Sequence, residues 1–144
     1  MLKQIILISD GQSNIGSDPV DMAEIALSRD IRVNTIGIID NRYNKNSIFE
    51  LENIAEKGGG ICEITNLENL SETLSRVTVK SVYETIEEVV NNELKEILDE
   101  DIKTMQPSKR YKFVNMIDKI GDEILLKCLI LLDVSGSMKK KIDC

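Results

Sequence analysis

The sequence predicts an α/β protein, a three-layer Rossmann-like parallel sheet flanked by helices. Three observations point there. Gln4 to Ile8, Val33 to Ile39 and Leu125 to Leu132 are continuously apolar rather than alternating, as strands buried on both faces of a parallel sheet are. A helical pattern separates the first two runs. The first and third end in an acid followed by small residues, Ser9-Asp10-Gly11 and Asp133-Val134-Ser135-Gly136-Ser137, at the strand ends where open parallel sheets hold ligands. The 144 residues suffice for one domain with its own core.

Along the chain, Gln4 to Ile8 is the first strand. Asp18 is placed to cap a helix that has Pro19 at its first position and Ala23, Ile25, Ala26 and Leu27 at helical spacing. With Val33 to Ile39 this makes one right-handed strand-helix-strand unit. Ser47 is expected to cap a helix carrying Ile48, Leu51, Ile54 and Ala55, ended by Gly58-Gly59-Gly60. That glycine run follows a helix rather than a strand, so it is neither a dinucleotide fingerprint nor a P-loop. Ile61 to Ile64 reads as a short edge strand. From Leu67 to Leu98 the apolar phase shifts near Ser81, which predicts two helices, one completing the α/β layer and an acidic one beyond it. Gln106-Pro107-Ser108 is a break, and Ser108 to Ile120 is an amphipathic helix stopped by Gly121.

Composition removes several functions. The net charge is −7, and between Glu84 and Asp101 there are eight acids and one base, so the rest of the chain is neutral. An acidic helix of this kind is expected to be a solvated face over a core stripe, with a partner-docking surface as the alternative. Phosphate binding needs a clustered basic face, and the only basic run is Lys139-Lys140-Lys141, which disfavours a nucleic-acid-binding reading. With no histidine, neither a Ser-His-Asp or Cys-His relay nor a His-ligated zinc or haem site can be built. Cys62, Cys128 and Cys144 are odd in number and widely spaced, as reduced thiols of a cytoplasmic protein are. The longest apolar run is interrupted by Lys127 and is too short to span a membrane.

An acid after a buried strand is costly unless it is hydrogen-bonded or metal-bound. Asp133, Ser135 and Ser137 alternate along the chain, so one carboxylate and two hydroxyls can face a common point. All-oxygen donors suit a hard cation such as Mg²⁺. The bland alternative is a turn in which these groups cap backbone amides.

Asp133-Val134-Ser135-Gly136-Ser137 resembles the D-x-S-x-S motif of von Willebrand factor type A (vWA) domains, which opens their metal ion-dependent adhesion site (MIDAS). Ser9-Asp10-Gly11 resembles the Thr/Ser-Asp-Gly motif of the same site. Ile54-Ala55-Glu56-Lys57-Gly58-Gly59-Gly60 resembles the stretch before that family's last strand. The resemblance implies that Asp133, Ser135, Ser137 and Asp10 bind Mg²⁺ or Mn²⁺, and that a partner carboxylate completes the coordination. The order of motifs is reversed relative to the family and no threonine loop is present, which implies either the end of one such domain followed by the start of another or a truncated domain of permuted order, with weak metal binding in both cases. In these terms residues 1–80 are the C-terminal half of a vWA-like domain, 81–121 a helical connecting segment, and 122–144 the first strand and D-x-S-x-S loop of a vWA-like domain. Gln4 to Gly11 and Val90 to Leu98 most resemble a sporulation-associated vWA protein of spore-forming Firmicutes.

The expected function is therefore a cytoplasmic, non-enzymatic, metal-dependent protein-binding module. It would bind neither nucleic acid nor membrane, and its oligomeric state is open. Two rivals are a strand-end-aspartate phosphatase or phospho-receiver-like enzyme, and a helical scaffold without metal. A dehalogenase-type phosphatase needs an acid two residues after its nucleophile, where Ser135 stands.

Overall fold

A computed structural model describes residues 1–9, 18–39 and 45–133. Its elements are β1 (Leu2–Ser9), α1 (Pro19–Ser28), β2 (Ile31–Ile38), α2 (Lys45–Lys57), β3 (Gly59–Thr65), α3 (Leu70–Leu98), a 3-10 turn (Ile102–Thr104), α4 (Pro107–Glu123) and β4 (Leu126–Leu132). The four strands form one sheet in the order β3-β2-β1-β4, and each neighbouring pair is parallel. The fold is α/β, a parallel sheet between helical layers. It divides into two units: residues 1–78 with 126–144, and residues 79–125.

The first unit holds the sheet. On one face Ile6, Ile8, Ile36 and Ile38 pack with Val77, Leu70 and Leu74 from the first turns of α3. On the other, Val33, Ile5 and Leu7 pack with Ala23 of α1 and with Leu51 and Ile54 of α2. The Asp18 carboxylate caps α1 by accepting from the Val20 amide at 2.9 Å, with Pro19 at the first helical position. Gly58 leaves α2, and Gly59 adopts φ 66° to turn the chain into β3. A side chain at Gly60 would run into the Val33 carbonyl. The glycine run is thus both the helix stop and the start of the strand.

In the second unit, Val82, Ile86 and Leu94 of α3 are buried, as are Ile102, Met105 and Ile117. Asn91 Oδ1 accepts from the Ile102 amide at 3.0 Å, and Asp101 accepts from the Lys103 amide at 2.9 Å. That second bond is the main reason the Asp101 carboxyl lies below its ordinary pKa.

Four expectations are corrected. β4 is an edge strand whose residues are mostly exposed on both faces, not a strand covered by helices. An apolar run records the capacity to be buried, not what buries it. α3 is one helix of 29 residues rather than two. Neither proline nor glycine lies between Leu70 and Leu98, so the phase shift marks a change of buried face and not a break. α4 runs through Gly121 to Glu123. A Cβ at Gly121 would meet Cε1 of Tyr83 at 2.8 Å, so this glycine allows close approach of two helices. Finally, α2 begins at Lys45, so Ser47 lies inside the helix rather than at its cap.

Candidate functional site

The carboxyl ends of β1 and β4 meet at one rim of the sheet. The two strands pair in register from Leu2 with Leu126 to Ile8 with Leu132, without irregularity. One residue further, the Asp133 amide donates to the Ile8 carbonyl at 3.0 Å, which continues the ladder past the end of β4. The Ser9 hydroxyl donates to Asp133 Oδ2 at 2.9 Å. Ser9 is 5% exposed and Asp133 is partly buried. The carboxylate is therefore held by a neighbouring strand at the edge of the core. A hydrogen bond to a charged acceptor in such a setting is stronger than one in open water.

Of the four expected ligands, the structure describes Asp133 and brings it against Ser9. Asp10, Ser135 and Ser137 lie outside the described residues. Asp10 directly follows Ser9, and Ser135 and Ser137 follow Asp133 by two and four positions. Among the described residues, no group of three or more His, Cys, Asp or Glu could hold a metal ion. Ser9 is the residue sequence reasoning left out of the ligand set. Its signal was a hydroxyl between a buried strand and an acid.

Two further features lie in the described residues. Cys62 and Cys128 are free thiols, partly buried beside the two core clusters. Burial pushes both thiols above their ordinary pKa, which is the opposite of nucleophile activation. Within the second unit, a cavity of about 390 Å³ is lined by residues that include Tyr83, Ile102, Lys103, Arg110 and Asp118. No helix among the described residues is long and apolar enough to cross a membrane.

No protein-family model matches the chain. It is 40% identical over 144 residues to a protein of Bacillus subtilis (strain 168) described as uncharacterized protein YabS, a match covering 98% of this chain and 59% of that protein. It is also similar to the crystal structure of an uncharacterized protein from Alicyclobacillus acidocaldarius subsp. acidocaldarius DSM 446. That similarity has a TM-score of 0.89 and 35% identity, over 99% of this chain and 62% of the other. The chain thus spans about three fifths of the length of each relative.

Proposed function

We propose that the rim where β1 and β4 end seats a hard divalent cation, Mg²⁺ or Mn²⁺, through which the protein grips a carboxylate of a protein partner. The observation that carries this reading is the Ser9 to Asp133 hydrogen bond between adjacent parallel strands. It sets the starts of the Ser9-Asp10-Gly11 and Asp133-Val134-Ser135-Gly136-Ser137 motifs side by side. The donor set fits such an ion, since carboxylates and hydroxyls are hard oxygen ligands. Asp133, Ser135, Ser137 and Asp10 would hold it, with the Ser9 hydroxyl fixing the Asp133 carboxylate by its hydrogen bond. When bound, the cation supplies the positive charge that a partner carboxylate coordinates.

The role proposed is binding, not catalysis. The resemblance to vWA domains supports it, with a sporulation context, and the free thiols of Cys62 and Cys128 fit a cytoplasmic setting. Calorimetric titration of Mn²⁺ into the chain tests the site. Heat should be released by the wild type and lost in both Asp133→Ala and Asp10→Ala, while circular dichroism shows that the variants keep their secondary structure. Equal heats in all three proteins would sink the assignment.

A further inference from the structure

The edge strand β4 continues the buried rows of the sheet into solvent. Its register with β1 sets Leu129 beside Ile5 and Leu131 beside Leu7, in the row that α1 and α2 cover. It sets Ile130 beside Ile6 and Leu132 beside Ile8, in the row that α3 covers. Within β1 the second row is closed, with Ile6 at 0% and Ile8 at 3% exposure. In β4 the four apolar side chains are 44 to 54% exposed, on both faces. Strands that end a sheet are usually protected by charge, proline, a bulge or a cover. β4 has one charge, Lys127, no proline and an unbroken register. The opposite edge, β3, has a register irregularity against β2 and an ion pair from Glu63 to Arg76.

We propose that β4 is an internal strand of a larger sheet. Its outer edge pairs with a further strand and its two faces are covered by helices. These come from a polypeptide segment that corresponds to the two fifths or so of each relative lying outside the match. Two relatives share nearly all of this chain yet carry that additional length, and the apolar strand that no described residue covers is where it has something to bury. A second copy of the chain fits less well. Pairing β4 with β4 across a two-fold axis would satisfy the outer backbone groups but lay nothing over Leu129 and Leu131 on one face or Ile130 and Leu132 on the other. A segment with strand and helices covers the edge and both faces together.

Hydrogen exchange read by mass spectrometry on the 144-residue chain and on the full-length Bacillus subtilis relative tests this, with sedimentation velocity run on both. In the 144-residue chain, the peptide spanning Leu126 to Leu132 should exchange at least about tenfold faster than the β2 peptide. In the relative, the strand aligned with β4 should be protected as well as the strand aligned with β2. Leu131→Asp should lower the melting midpoint of the 144-residue chain only slightly, and its counterpart in the relative should lower the midpoint several times more. An aligned strand that exchanges rapidly in the relative overturns the proposal. So does a 144-residue chain that sediments as a dimer with β4 already protected, because the occupant is then a second copy.

Discussion

Strand β2 buries six of its eight residues, the polar Asn34 and Thr35 among them, while β4, apolar at every position but Lys127, buries none fully. The difference is position in the sheet. β2 has β1 on one side, β3 on the other, and helices over both faces. Among the described residues, β4 has one neighbouring strand, and only its Cys128 reaches the packed cluster. The less apolar run is thus the finished core and the more apolar one the open surface. Hydrophobic stabilisation follows the area removed from water, not the residue type.

The largest expected effect sharpens this contrast. Ile36→Ala in β2, at a position with no exposure, should lower unfolding free energy by about 4 kcal/mol through lost transfer energy and a cavity. Leu131→Ala in β4 should cost under about 1 kcal/mol in the 144-residue chain, because its side chain is already half in water. Urea titrations of both variants measure the pair, and equal losses would break the comparison.

Asn34→Ala comes next. Asn34 is fully buried; its Nδ2 donates to Gln4 Oε1 at 3.1 Å and its Oδ1 accepts from the Ile61 amide at 2.9 Å. Removing it strands one buried and one part-buried group and should cost about 2–3 kcal/mol by the same titration. Ser9→Ala is smaller, about 1 kcal/mol, for loss of the hydroxyl that bonds Asp133 at the rim.

The smallest effect is a pH dependence from Cys62 on β3. Burial, partly opposed by the neighbouring Thr35 hydroxyl, raises its folded-state pKa. The folded protein then holds the proton more tightly than the unfolded chain does. Stability is unaffected below the unfolded thiol pKa, about 8.5, and falls as pH rises from there through the folded value. Urea midpoints from pH 7 to 10 should fall above about 8.5 in the wild type, and less in Cys62→Ala. Iodoacetamide at pH 8 should label Cys62 more slowly in the folded chain than in urea.

How much of this was legible in the sequence depends on what each signal encodes. The strands could be read because continuous apolar runs are few, and α1 because Asp18 and Pro19 mark its start by local chemistry. The place of Leu125 to Leu132 at an edge could not, since burial pattern does not encode strand order. The single helix α3 was hidden because a change of packing partner looks like a break when only apolar phase is followed. Gly121 was misread because a glycine that admits a tyrosine ring and one that ends a helix are written alike. At the site, Asp133 stood out as an acid after a strand. That Ser9 binds it depends on β1 and β4 being neighbours, and strand adjacency is a property of the fold rather than of either segment.

The Asn34 amide also bears on how the sheet finds its alignment. A slip of β2 by one residue turns its apolar side chains to the wrong face, and burial alone penalises it. A slip by two keeps every side chain on its own face, so apolar rows such as Ile36 and Ile38 tolerate it. Asn34 does not: two residues away, its amide meets neither Gln4 nor the Ile61 amide. One buried polar side chain in the middle strand therefore acts as a proofreading mark, rejecting the misalignment to which the greasy rows around it are blind.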